Sequence, residues 1–328
     1  MGHYKPHMCD ALLLGIVLFS GCVEHSHSQS YPTKPLRMII GFPPGSITDV
    51  MVRPLAQKLA DVLGQQVIVD NRAGATGTIA NEAVVKSPAD GYTLLAAPGS
   101  SIASYPHLRI SMPYDSLQDL VPVILIHKFS YVLITHPSVS ANNVKDLIAL
   151  ARSRPGALTF GSPGVGTSFH LSGELLSQMT NVKFVHVPYK GGATLLSDIV
   201  GGRIDFMFYS LAGVRPMLDG GKLRPLAVTG VKRNPLLPSV PTIDESGIKG
   251  YEMSGWEGIF VPRNTPKELL GRLNTAITAA SLTPEITDLN LSQGMDFVPN
   301  TVDQFSALVR SDYERYGKLI MMTGIKPE

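Results

Sequence analysis

Residues 36–64 read LRMIIGFPPGSITDVMVRPLAQKLADVLG, and their pattern decides the fold. Leu36–Ile40 is a short apolar run with the length and β-branched content of a buried strand. Phe42-Pro43-Pro44-Gly45-Ser46 follows as a tight turn. Beyond it Ile47, Val50, Met51, Leu55, Leu59, Val62 and Leu63 recur at helical spacing, and Gly64 stands where a helix C′ glycine belongs. Strand, glycine turn and helix, in that order, aim unpaired backbone N–H groups and the positive end of a helix dipole at one spot. Such a helix start suits an anion, although a lone unit is also how an ordinary α/β turn is built. The same unit returns later in the chain, and the repetition gives it weight.

Outward from this unit the alternation continues. Gln66–Asp70 reads as a second strand, ended by the turn Asn71–Gly77. A helix runs through Ala80, Ala83, Val84 and Val85 and stops at Pro88-Ala89-Asp90-Gly91. Tyr92–Ala97 is a third strand, running into Pro98-Gly99-Ser100-Ser101. Strands alternating with helices predict a parallel sheet with right-handed crossovers. Its ligand crevice lies beyond the carboxyl ends of the strands, where the loops at 42–47, 71–78 and 98–101 belong.

Val121–His127 and Tyr131–His136 form an extended double run interrupted by Lys128-Phe129-Ser130, the form of a chain leaving one domain for another. The pattern then restarts with a helix at 144–151, a strand at 158–160 and the loop Gly161–Gly166. Thr167 or Ser168 caps a helix carrying Phe169, Leu171, Leu175, Leu176 and Met179. Strands at 183–187, 204–208 and 225–229 and a helix at 193–200 complete a second α/β unit. Tyr251–Val261 reads as the return crossing. Thr265-Pro266-Lys267-Glu268 and Thr301-Val302-Asp303-Gln304 are helix starts, with Thr as N-cap in each. These C-terminal helices are expected to pack back on the first sheet. The division predicted is 1–30 as signal peptide and tether, 31–127 plus 251–328 as a discontinuous first domain, and 128–250 as the second.

A chain of 328 residues is long enough for two such domains. Its net charge of +2, from 28 basic and 26 acidic residues without a basic cluster, argues against nucleic acid as a partner. Ala11–Phe19, preceded by Lys5 and histidines, is the apolar core of a secretory signal and falls short of the roughly 20 residues of a membrane span. Leu18-Phe19-Ser20-Gly21-Cys22 resembles a bacterial lipobox, with Phe19 where an aliphatic residue is usual. Either Cys22 is acylated, or an ordinary signal is cut within residues 21–30. Cys9 is removed in both cases, so the exported domain has no disulfide and no catalytic thiol.

Gly161-Ser162-Pro163-Gly164-Val165-Gly166-Thr167-Ser168 nearly spells a nucleotide-binding P-loop, but Thr167 occupies the place of the lysine that reaches the terminal phosphates. What remains is a charge-neutral cradle for a smaller anion. There is no G-x-S-x-G elbow, and His170 is offset from Ser168 by two residues, which face apart on a helix. His170 reads as lining or buttressing the loop. No H-E-x-x-H or paired Cys/His spacing marks a metal site, and no cofactor is implied.

Several stretches resemble one family: Phe42–Asp49, Val69–Ala75, Ser87–Leu94, Gly161–Ser168, Val187–Gly192, Leu226–Thr229, Val240–Gly247 and Gly255-Trp256. The chain from Tyr31 onward is similar to the substrate-binding receptors of tripartite tricarboxylate transporters, the Bug proteins of bacteria. The resemblance implies an α/β, two-lobed periplasmic binding protein fold (type II-like), each lobe a mostly parallel sheet flanked by helices. It implies capture of a small carboxylate, held largely by backbone amides and bridging water from the loops Pro44–Ile47 and Gly164–Ser168, and delivery to membrane permease subunits.

Carried onto this sequence, Pro44, Gly45, Ser46 and Ile47 form the first carboxylate loop, and Ser162, Gly166, Thr167 and Ser168 the second, with Thr76 and Ser100 beside them. Ser46 and Thr76 depart from the glycines common there. Asp49 suits a first-turn role in its helix. Asp205 either receives a ligand's ammonium or hydroxyl or caps a turn, and Tyr189 and Trp256 either line the cleft or belong to the core. The function expected is an exported, non-catalytic, monomeric receptor for a small carboxylate, acting in the periplasm. A sensor subunit for a membrane kinase and an exported hydrolase acting on a carboxylic ester are the alternatives.

Overall fold

The computed structural model describes residues 1–3 and 31–327, so the signal peptide and Cys22 lie outside the described residues. In chain order the elements are β1 (Leu36–Ile40), α1 (Ile47–Leu63), β2 (Val67–Asn71), α2 (Thr78–Val85), β3 (Thr93–Pro98) and β4 (Leu120–Thr135). Next come α3 (Val144–Ser153), β5 (Thr159–Ser162), α4 (Ser168–Thr180), β6 (Val185–Pro188), α5 (Gly192–Val200), β7 (Phe206–Ser210), α6 (Leu211–Asp219) and β8 (Arg224–Val228). The chain ends with β9 (Ser254–Pro262), α7 (Lys267–Ser281), α8 (Pro284–Ser292), β10 (Met295–Asp296) and α9 (Val302–Thr323).

The opening unit forms as its sequence dictates. Ser46 caps α1 by accepting the Asp49 N–H at 3.3 Å, and Gly64 ends it in the left-handed conformation at φ +65°. The start of α7 is displaced by one residue from the expected box. Pro266 takes the cap position, and the Thr265 hydroxyl donates to the Pro262 carbonyl at 2.8 Å. At α9 the Thr301/Gln304 capping box is complete. Helix α6 begins directly after β7, without the polar punctuation that would have announced it.

The strands make one ten-stranded sheet in the order β2-β1-β3-β9-β4-β7-β5-β6, with β8 and β10 also paired to β4. The outer strands are parallel, β1 with β2 and β3, and β5 with β6 and β7. The crossing strands are antiparallel to their neighbours, so the sheet is mixed about its middle. The expected pair of extended runs is a single strand, β4, 16 residues long. From Leu120 to Ser130 it pairs with β9; from Tyr131 to Thr135 it pairs with β7 and β8. Its register slips between Pro122 and Ile124, where proline offers no N–H to the ladder. It slips again near Leu125, where the Asn300 side chain accepts the Leu125 N–H at 3.0 Å and donates to its carbonyl at 2.9 Å.

One face of the first half packs Leu36, Met38 and Ile259 under α1 and α7 through Val52, Leu55, Leu273 and Ile277. On the opposite face a core runs without a break from Trp256, Phe260 and Phe305 to Leu133, Phe160 and Leu171 in the second half. Helices α7 and α8 pack on α1 as expected, whereas α9 lies along β4 and reaches α4. Phe305 of α9 fills the space that a side chain at Gly258 would occupy, 2.0 Å from the ideal Cβ position, and stands edge-on to Trp256. Phe305→Ala is therefore expected to cost about 3–5 kcal/mol in urea unfolding; a loss below about 1 kcal/mol would show that α9 is not part of this core.

Candidate functional site

Two helix starts define the site. In the first loop the Gly45 N–H donates to Asp49 Oδ2 at 3.0 Å, the Ser46 N–H to the Pro43 carbonyl at 3.1 Å, and the Asp49 N–H to the Ser46 hydroxyl. Asp49 also accepts from Arg53 at 2.5 Å and from Asn71 at 3.0 Å, and the Arg53 hydrogen bond is the main reason its carboxyl is lowered to about 2. The first-turn amides of Ile47 and Thr48 find no acceptor among the described residues.

The second loop repeats the logic with other side chains. Thr167 caps α4 through its hydroxyl, which accepts the His170 N–H at 3.3 Å. The Gly166 N–H donates to His170 Nδ1 at 2.9 Å, so the ring proton of neutral His170 sits on Nε2, 3.3 Å from Glu174 Oε1. Ser162 donates to the Gly164 carbonyl at 2.8 Å and lies 2.7 Å from His186 Nε2. The His170 and His186 rings stack at 3.6 Å, holding the loop from beneath. The amides of Ser168 and Phe169, again the first turn, have no acceptor among the described residues.

Both helix starts open on one cavity of about 340 Å³. Phe42, Phe129, Tyr131, Phe169, Trp256 and Tyr316 contribute aromatic surface, with Thr76 and Pro98–Ser100 at one margin. Phe129 and Tyr131 meet edge-on at 5.6 Å, and Tyr131 and Phe169 at 4.8 Å. Burial raises the Tyr131 phenol and pushes Tyr316 up to about 12, so both stay protonated donors. Also on the lining are Thr48, His127 and Glu257. Thr48 donates to Glu257 Oε1, and His127 Nε2 lies 2.8 Å from Glu257 Oε2, both side chains only 3% exposed. That contact is out of line for a hydrogen bond, so Oε2 and Nε2 each retain unmet capacity.

Of the residues predicted for the site, Ser46, Ile47, Thr76, Ser100, Thr167 and Ser168 come together on this cavity, as does Trp256. The others are corrections to the expected site. Pro44 and Gly45 sit exposed on the outside of their turn, and the Gly45 amide is taken by Asp49. Ser162 is fully buried and braces the loop. Gly166 lies so close to Leu108 that a Cβ would stand 1.7 Å from its Cδ1, and its backbone is left-handed at φ +72°. Tyr189 turns to Asp198, to which its hydroxyl donates at 2.8 Å. Asp205 sits before the first residue of β7, away from the cavity, and caps the Thr159 backbone at 2.7 Å and hydroxyl at 2.9 Å, the turn-capping alternative. Thr48, His127, Glu257, Phe129, Tyr131, Phe169 and Tyr316 were not anticipated. The spacing of His127, Phe129 and Tyr131 at alternate positions was the available signal, since such residues share one face of a strand.

A mixed sheet crossed by one long strand, with helix starts facing over a cavity, defines a two-lobed solute-binding protein. The family profile described as "Tripartite tricarboxylate transporter family receptor" matches residues 51–325. The chain is 35% identical to protein BugT of Bordetella pertussis over 316 residues, covering 96% of this chain and 97% of BugT. It is 37% identical over 310 residues to a protein of Pseudomonas sp. strain P51 from the tcbD-tcbE intergenic region, covering 94% of this chain and 92% of the relative. Among solved structures, R. palustris Rpa4515 with adipate superposes at a TM-score of 0.81 and 36% identity, covering 91% of this chain and all of that one. MatC of Rhodopseudomonas palustris with bound malate does so at 0.76 and 25%, covering 88% and 100%. The chain belongs to the tripartite tricarboxylate transporter receptor family, whose members are solute-binding receptors.

His186 gives the loop a measurable signature. Burial, then the neighbouring His170, pushes its imidazole down to about 3, against about 6.5 in an unfolded chain. Between those values the unfolded chain binds a proton that the folded chain refuses, so stability falls as pH drops through that window. His186→Gln keeps a donor for Ser162 and removes the titration. The urea midpoint of the variant is expected to fall less steeply than that of the wild type between about pH 6.5 and about 4; parallel curves would contradict this.

Proposed function

We propose that the chain is an extracytoplasmic receptor that binds a small carboxylate in the cavity between its lobes and delivers it to the membrane permease of a tripartite tricarboxylate transporter. The observation that supports this most is the pair of unsatisfied first turns, Ile47-Thr48 and Ser168-Phe169, opening on one hollow. Backbone N–H groups at a helix start favour an anion by direct bonding and by the dipole. Each charge-assisted bond contributes about 1.5–3 kcal/mol, offset by the cost of association, which is consistent with micromolar or tighter binding. The aromatic walls exclude water and strengthen these bonds. The relatives solved with adipate and malate hold ligands of the same chemical class.

The same reading assigns residues 1–30 to export, with Cys22 as the acylated residue, and places the mature receptor in the periplasm as a monomer. It divides the rest into lobes of residues 31–127 plus 251–328 and 128–250, closing about hinges near 127–131 and 249–252. No helix among the described residues is long and apolar enough to cross a membrane.

Thr167→Asp is the direct probe, because aspartate caps a helix as well as threonine does while adding a negative charge at the α4 start. Affinity for the acid identified by native mass spectrometry of the purified protein should fall at least about tenfold with the melting temperature little changed; unaltered affinity would remove α4 from the site. Small-angle scattering should show a smaller radius of gyration at saturating ligand, and an unchanged radius would contradict closure.

A further inference from the structure

The two helix starts differ in charge. The first turn of α1 already serves the chain's own acids: Asp49 takes the Gly45 amide, and Glu257 takes the Thr48 hydroxyl. The first turn of α4 contains no acidic residue, and its cap is the neutral Thr167. A ligand carboxylate entering the cavity is therefore drawn to α4 and held away from α1, which orients whatever lies at its other end toward Glu257.

Glu257 is 2% exposed and sits on β9 directly across the ladder from His127 on β4. The groups packed on it are the Thr48 hydroxyl from α1 and the His127 imidazole from β4; Asp49, the other nearby acid on α1, is turned to Arg53 and Asn71. Glu257 Oε2 and His127 Nε2 are covered from solvent, and neither has an aligned partner among the described residues. A buried carboxylate with an open acceptor position gains from a donor, a hydroxyl or an ammonium, and loses from a second carboxylate brought close in low dielectric.

We propose that Glu257 is a specificity-determining residue: the receptor accepts acids that carry a hydroxyl or ammonium group at the far end of an apolar body, and rejects dicarboxylates. This rests on the carboxylate reading of the same cavity and narrows it. Selectivity arises from repulsion of the wrong ligand as much as from attraction of the right one.

Acids matched in size and differing only at the far end make the test. One series is hexanoate, 6-hydroxyhexanoate, 6-aminohexanoate and adipate; the other is benzoate, 4-hydroxybenzoate, 4-(aminomethyl)benzoate and terephthalate. Titration calorimetry on the purified wild-type protein is expected to show, in at least one series, the hydroxyl or ammonium member binding at least about tenfold tighter than the dicarboxylate. In Glu257→Gln, which keeps the side-chain shape and an acceptor for Thr48, that ratio should shrink toward unity. Dicarboxylates that bind as tightly as the donor-bearing acids in the wild type overturn the proposal even if the variant does not fold. A preference that survives unchanged in a folded Glu257→Gln protein also overturns it, while leaving the carboxylate reading intact. If no acid of either series binds, the carboxylate reading fails and this inference fails with it.

Discussion

The N–H groups of Ile47, Thr48, Ser168 and Phe169 have no acceptor within the described chain, and they face a common space. A helix cannot satisfy its own first-turn donors, so their fate is set by what lies in front of them. In most proteins a side-chain cap and water suffice. Here the caps Ser46 and Thr167 take only the third donor of each helix, and aromatic rings crowd the remainder. Unmet donors in a partly dry hollow are the constraint around which the rest of the architecture is arranged.

That arrangement depends on β4. Because a single strand carries the ladder from one half of the sheet to the other, the carboxyl ends of β1 and β5 are brought to the same cavity although their helices belong to separate α/β units. β4 also supplies lining of its own through His127, Phe129 and Tyr131. The pairing of β4 with β9 sets Glu257 opposite His127 and leaves Gly255 and Trp256 beside them. At Gly99 even a Cβ would meet the Trp256 indole at 2.5 Å, so the third loop can approach the cavity only as glycine. Trp256 is in turn fixed by its indole N–H, which donates to Asp312 on α9 at 2.6 Å. Core packing and ligand geometry thus share the same residues.

Much of this was legible in the sequence. Strand–turn–helix units announce themselves by apolar period and by capping serine or threonine, which is local information, and both helix starts fall where those signals put them. Which amides remain free was not legible. Asp49 folds back onto Gly45, and His170 onto Gly166, so the glycines shape their turns without offering a donor to the cavity. Asp205 and Tyr189 failed as site residues for a related reason: composition suits them to a cleft, but Asp205 precedes its strand instead of following it, and Tyr189 hydrogen-bonds within its own lobe. The Glu257–His127 contact comes from strand register between segments far apart in sequence, which no local pattern encodes.

A crystal structure of the protein with its co-purified acid tests the central claim most directly. The account predicts density for a carboxylate in the aromatic cavity, with an oxygen about 2.7–3.2 Å from the Ser168 or Phe169 amide, directly or through one ordered water, and no arginine in contact. A ligand seated elsewhere, such as the separate groove lined by Lys128, Lys232 and Arg233, or a carboxylate held by side-chain cations with both helix starts unengaged, would contradict it.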